Sequence, residues 1–170
     1  MPMMRRRRGM DDLVDLVIED DRWAALDMVA LAEKAARAAL GVTDVSAAYE
    51  ICVMACDDAR IAELNGEFRE KPTATNVLSW PAFELSAEVE GGQPTSPPIA
   101  ESLGDIAIAY ETCAREAAEK NITMQAHVLH LVVHGCLHLL GYDHETDKDA
   151  TLMEDLEVKA LASIGVENPY

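Results

Sequence analysis

The sequence has no apolar run near the roughly 18 residues that a membrane-spanning helix needs. That excludes a helical membrane protein. No apolar stretch follows the arginines Arg5 to Arg8, so the start does not read as a secretory signal, and the expected location is the cytoplasm. The four cysteines, Cys52, Cys56, Cys113 and Cys136, show no CxxC spacing. Reduced, buried thiols are the expectation for such residues. Cations are scarce: 14 Lys and Arg stand against 31 Asp and Glu, a formal net charge of −17. A chain this acidic lacks the field that broad, non-specific nucleic-acid binding needs, and DNA is not an expected partner. A local basic cleft stays compatible with that balance. No internal repeat is present.

What remains is an ordinary globular composition, 49% apolar and 26% charged, and 170 residues are enough for one domain with a sizeable core. Residues 1–10 read as a disordered basic tail, or as a segment that touches RNA or another acidic surface. Residues 11–170 read as a single domain. Acid is unevenly spread. From Gly141 onward eight acidic residues face only Lys148 and Lys159, whereas the stretch with Arg60, Arg69 and Lys71 is more balanced. An anionic substrate would approach on that side.

The order of elements suggests an α+β fold, with a small, mostly N-terminal sheet packed against helices. Leu13 to Glu19 alternates weakly, as a strand does. Asp21 can cap a helix from about Arg22 to Leu40, with Gly41 as its stop. Val45 to Cys56 is rich in strand formers. Asp57 and Asp58 favour a helix start, with Ile61, Leu64 and Phe68 on one face. Thr75 to Trp80 alternates again. Residues 83–102 hold prolines, glycines and small polar residues and read as a long loop, either a lid or a mobile insertion. Gly104 to Tyr110 predicts a strand and Glu111 to Lys120 a helix ended by Asn121. Thr123 caps the next helix, which runs to about Leu140. A last amphipathic helix carries Leu152, Leu156, Ala160 and Ile164 on one stripe.

The helix ending near Leu140 carries the chemistry. Between Gln125 and Tyr142 there is no Asp, Glu, Lys or Arg, so this helix must be largely buried. At about 100° per residue, His127, His130, His134 and His138 share an arc of roughly 80°. Each buried imidazole needs a partner. A metal ion supplies one, because His134 and His138 lie one turn apart on one face. Gly141 can turn the chain back and return His144 to the same ion. Three neutral imidazoles leave a fourth position for water, as in catalytic zinc sites, and one Zn2+ per chain is expected. His127 and His130 are expected to be core residues or to support the ligands from behind. Cys136 falls on the opposite face and is not expected to bind the metal. The spacing HxxxHxxGxxH also occurs in metzincin proteases, which carry a glutamate base after the first histidine. Here that position is Gly135, which cannot move a proton, so peptide hydrolysis by that route lacks its base.

The run His134-Gly-Cys-Leu-His138-Leu-Leu-Gly-Tyr-Asp-His144 resembles the signature of the YbeY family of bacterial endoribonucleases and rRNA maturation factors. Leu64-Asn65-Gly-Glu-Phe68-Arg69, followed by Ala74-Thr75-Asn76-Val77-Leu78-Ser79-Trp80-Pro81, resembles its second signature, and Leu103-Gly104-Asp105-Ile106 its third. The resemblance covers roughly Val45 to the end. It implies an α+β fold with a buried, histidine-bearing helix beside a small sheet. It also implies a metal-dependent endoribonuclease, specific for single strands, acting in rRNA maturation and ribosome quality control. Single-stranded RNA, in particular rRNA, would be the substrate, with the ribosome or its associated proteins as partners. The implied ligands are His134, His138 and His144, and the family's functional arginine falls on Arg69. Trp80 stands where the family has Phe, and the Arg-rich start and the loop after Pro81 lie outside the resemblance.

Read as chemistry, zinc with an open position can polarise a phosphoryl oxygen or activate water. The planar guanidinium of Arg69 suits a phosphate, with Lys71 as a second charge. The competing reading of Arg69 is a surface ion pair. RNA brings its own 2′-hydroxyl, so either that group or water can be the nucleophile. Two alternatives stand beside this reading: a metallohydrolase for a non-RNA substrate, and a zinc-stabilised ribosome-assembly factor with little nuclease activity.

Overall fold

A computed structural model describes residues 4–5, 12–46, 49–69, 73–98 and 102–170, with the side chains of residues 4, 5, 68 and 69 outside the description. The strands are β1 (Met4–Arg5), β2 (Val14–Ile18), β3 (Glu50–Cys56), β4 (Val77–Pro81) and β5 (Ser102–Ala109). The helices are α1 (Met28–Val42), α2 (Asp58–Arg69), α3 (Tyr110–Lys120), α4 (Met124–Leu139) and α5 (Asp147–Ser163). The strands form one sheet in the order β1-β2-β3-β5-β4. β2, β3 and β5 run parallel, while β1 and β4 are antiparallel to their neighbours at the two edges. The α+β expectation holds, and the parallel pair β2–β3 is joined by the crossover helix α1. The other residues of the arginine-rich start lie outside the described residues.

Three elements differ from expectation. The helix expected from Arg22 is two pieces, a 3-10 turn over Asp21–Ala25 and α1 from Met28. Trp23 explains the break. Its indole is fully buried, donates from Nε1 to the Cys56 carbonyl at 2.8 Å and meets Tyr110 edge-on at 5.1 Å. The turn is thereby tied to the end of β3 and cannot continue along the axis of α1. Asp27 then opens α1 as its N-cap. Second, α1 runs through Gly41 and stops at Thr43, so that glycine is not the stop. Third, Leu152, Leu156 and Ile164 are only half-buried. The deepest line on α5 is Met153, Glu157, Ala160 and Leu161.

Other boundaries follow local chemistry. Asp57 accepts from the Arg60 amide at 2.8 Å and opens α2. Asp58 on α2 accepts from the Thr112 amide and hydroxyl, while Glu111 accepts from the Asp58 amide, so α2 and α3 satisfy each other's first turns. Asn121 ends α3 in the left-handed conformation at φ 55°, and Thr123 caps α4.

Helix α4 is the centre of the molecule. It packs on α1, α3, α5, β4 and β5, and its apolar residues join the main core. Gly135 lets it approach the sheet. A Cβ there would stand 3.0 Å from the Ile106 side chain and 3.2 Å from Ser79 Oγ. Gly104 does the same for the β4–β5 corner. Its φ is +136°, and a Cβ would stand 2.2 Å from the Trp80 carbonyl oxygen. The described part of the long loop, through Pro98, is tied down at several points. Leu85 is buried and its carbonyl accepts from the Thr95 amide. The Gly91 amide donates to Asp149, and the Tyr49 hydroxyl reaches the carbonyls of Pro97 and Pro98.

Candidate metal centre and cleft

The turn after α4 builds the site. Leu140 is the C-cap and Gly141 follows at φ +100°. The Tyr142 amide returns to the Leu137 carbonyl at 3.1 Å and the Gly141 amide to the His138 carbonyl at 3.0 Å. This is the paired bonding of a Schellman end, which satisfies the last carbonyls of a helix. It also swings the Tyr142 carbonyl onto His138, whose Nδ1 donates to it at 2.9 Å. The residue that stops the helix therefore orients the second histidine and brings round the third. Gly141 has no substitute here, since a Cβ would lie 2.8 Å from the Leu85 backbone.

His134, His138 and His144 come together, each offering a ring nitrogen within 4.8 Å of the others. The first two are half-buried and the third is exposed. The Nε2 atoms of His134 and His138 are 3.0 Å apart. Two nitrogens on one tetrahedral zinc, at about 2.0–2.1 Å each, would stand about 3.3 Å apart. The tautomers agree with such a role. A carbonyl can only accept, so His138 carries its proton on Nδ1. His134 Nδ1 faces the Glu157 carboxylate at 2.6 Å and donates to it. With both Nδ1 protons committed, the two Nε2 atoms turn lone pairs toward one another. That contact is repulsive unless a cation or a proton sits between them. Burial and the neighbouring histidines push His138 down to about 4, so its ring is neutral near pH 7, as a ligand must be.

Glu157 is fully buried behind His134. Burial alone would raise its pKa, but the nearby His130 ring and the hydrogen bonds from His134 and Tyr170 outweigh that and hold it down at about 2. Sequence reasoning missed this residue. Its signal was an acid on the stripe of α5 that also carries Met153, Ala160 and Leu161. His130 points its Nε2 at Tyr170 and Glu157, 3.4 and 3.6 Å away, and its ring centroid is 6.5 Å from that of His134. His127 lies further back, with Nε2 2.9 Å from Glu116, which also accepts from Asn76. Neither joins the cluster of three, in line with the supporting or core role expected of them. Cys136 is buried in the core on the far side, its thiol pushed up to about 12 by burial.

The three histidines open on a cleft of about 830 Å³. Its walls are residues 73–79 with Pro81, the loop 83–86, the turn 141–145, and Asn65 of α2. Among the described lining residues the charged groups besides histidine are Glu84, Asp143 and Glu145, and no Lys or Arg is present. Arg69 closes α2 with its side chain outside the described residues, and Lys71 lies outside them altogether. Asn65 and Thr73 both line the cleft, and the Asn65 side-chain amide donates to the Thr73 carbonyl at 3.0 Å.

A profile of the family described as Endoribonuclease YbeY matches residues 17–165. A protein named Endoribonuclease YbeY from Dinoroseobacter shibae is 56% identical over 162 residues, covering 92% of this chain and 90% of the relative. One of the same name from Cereibacter sphaeroides is 53% identical, covering 95% of this chain and 100% of the relative. The solution structure of a Thermotoga maritima protein has a similar fold, with a TM-score of 0.54 at 22% identity over 89% of this chain and 91% of that one. With a family profile and near full-length relatives in agreement, the chain belongs to the endoribonuclease YbeY family.

Proposed function

We propose that the chain is a zinc-dependent endoribonuclease that cuts single-stranded RNA, in particular rRNA, in ribosome maturation and quality control. The observation that carries the reading is the pair of histidines whose Nδ1 protons are committed and whose Nε2 atoms converge at 3.0 Å, with His144 beside them at the open cleft. The names of the relatives supply the substrate class.

His134, His138 and His144 would hold the ion. A zinc ion held there supplies positive charge to a phosphoryl oxygen and acidifies water. Glu157 and the Tyr142 carbonyl keep the first two rings in the correct tautomer and orientation. Arg69 holds the scissile phosphate and Lys71 adds a second charge. Gly135 leaves no carboxylate at the position of the protease base, and RNA has less need of one because its 2′-hydroxyl is an internal nucleophile. Glu84, Asp143 and Glu145 in the cleft wall, with the net charge of −17, disfavour free RNA. The ribosome or a ribosome-associated protein therefore delivers the substrate. The proposed place of work is the cytoplasm; no helix among the described residues is long and apolar enough to cross a membrane.

The test is cleavage of a single-stranded RNA oligonucleotide by nuclease-free preparations. Wild type should cut it. His138→Ala should lose both zinc and cleavage. Arg69→Glu should keep zinc and slow cleavage by about 100-fold or more, the order seen when one charge-stabilising donor is lost. The acidic cleft favours one other reading, a ribosome-assembly factor in which zinc mainly holds the fold. Its mark would be unfolding on chelation with no cleavage by wild type.

A further inference from the structure

Behind the three histidines lies a buried polar group that the proposed chemistry uses only in part. Glu157 presents Oε1 to His134 Nδ1 at 2.6 Å. Its Oε2 accepts a short hydrogen bond from the Tyr170 hydroxyl. His130, packed between them, brings its Nε2 within 3.6 Å of Oε1 and 3.4 Å of the Tyr170 oxygen. Glu157 is fully buried and His130 nearly so, while Tyr170 as a residue is 61% exposed. A surface tyrosine thus reaches inward with one atom to a buried carboxylate. The tail beyond α5 closes the network.

A buried carboxylate with one bonded oxygen is poorly fixed. It can turn about its last bond, and its other oxygen has lost water without compensation. The Tyr170 hydroxyl supplies that compensation and sets the carboxylate plane. The plane in turn sets the direction in which His134 Nδ1 donates, and so where His134 Nε2 points. We infer that Glu157, clamped by Tyr170, is a positioning pair for His134 that tunes how tightly the three-histidine centre holds its metal. The inference rests on the metal reading given above. It goes beyond that reading because Tyr170 lies outside residues 17–165, the span matched by the family profile. Glu157 lies within that span and Tyr170 beyond it, so the clamp joins the matched span to the tail.

The experiment uses the full chain and Zn2+ alone, with affinity measured against a chromophoric chelator, and Co2+ substitution as a spectroscopic probe. Melting of the metal-free proteins is followed in parallel. Glu157→Gln should weaken zinc binding by about 10–100-fold, the range for outer partners of ligating histidines. Tyr170→Phe should weaken it in the same direction by about 10-fold, the low end of that range. The metal-free melting transition should fall as well, because the substitution leaves a buried Glu157 oxygen without its hydrogen bond, so the Co2+ spectrum is the readout that separates positioning from stability. Both variants should alter the Co2+ absorption bands, which a purely structural role would not move. If Glu157→Gln fails to fold, Tyr170→Phe decides alone. Wild-type affinity and an unaltered Co2+ spectrum in Tyr170→Phe would overturn the clamp while leaving the metal centre standing. Failure of the wild-type chain to take up zinc would overturn the metal reading, and the clamp with it.

Discussion

At the scale of single residues, a few positions carry constraints that no neighbour can relax. Gly141 combines a positive φ with the Leu85 backbone pressed against its open face. Gly141→Ala should cost roughly 1–2 kcal/mol for the left-handed backbone, with the steric clash in addition. It should also displace His144. Urea unfolding and zinc content measured on the same sample would check both effects. Unchanged zinc content would mean that the turn does not place His144. A glycine three residues after His138 was readable as a turn, and the turn as a device for returning His144. The Leu85 contact was not readable, because it comes from a segment more than fifty residues earlier. Glu157 was harder still. An acid on a helix is ordinarily solvated, and only the position of α5 against α4 puts this one behind His134.

At the scale of elements, capping separates stability from site geometry. Thr146 accepts from the Asp149 amide and opens α5, the helix that carries Glu157. Thr146→Ala should lower stability by about 1 kcal/mol, the usual cost of losing an N-cap. Zinc affinity should hold, since Glu157 lies three turns further on and is held by packing. A parallel fall in affinity would show that fraying of α5 reaches the metal centre. The α3–α4 contact gives a second prediction, through His127 and Glu116. Burial of His127 is the largest influence on it and lowers its pKa, outweighing the hydrogen bond to Glu116. The unfolded chain therefore takes up this proton first as the pH falls. Stability should decline below about 6.5, the ordinary histidine value. For Glu116 burial is again the largest influence and raises its pKa, but hydrogen bonds from His127 and Asn76 bring it below the usual value. Its contribution is present above about 4.5 and is lost as acid protonates it. A stability profile of His127→Gln should be flatter between pH 7 and 5; a profile as steep as wild type would remove His127 as the cause. Helices α3 and α4 were legible because their caps, Thr123 and Asn121, are local. The first helix was misplaced because its break depends on Trp23 reaching Cys56 across the chain.

At the scale of the whole molecule, charge and topology set what can reach the cleft. A chain at −17 whose cleft wall carries Glu84, Asp143 and Glu145 should bind free RNA weakly. The few contacts possible through Arg69 and Lys71 predict a shallow dependence of binding on salt, with a slope of about −1 to −2 for single strands. A steep slope would require a basic surface beyond these two residues. Topology decides the rest. A mixed sheet with parallel β2, β3 and β5 brings β4 to an edge, and there Leu78, Ser79 and Pro81 line the cleft beside α4. By itself the sequence determined the fold class, the buried histidine helix, the turn at Gly141 and the three candidate ligands. All of these depend on periodicity, composition and short-range spacing, which are written into adjacent residues. Only the tertiary structure decided which partners orient those ligands: Glu157 from α5, the Tyr142 carbonyl from the helix end, Tyr170 from the tail. It also decided that acidic side chains line the described walls of the cleft. These depend on which surfaces pack together, and packing brings together residues that no local pattern connects.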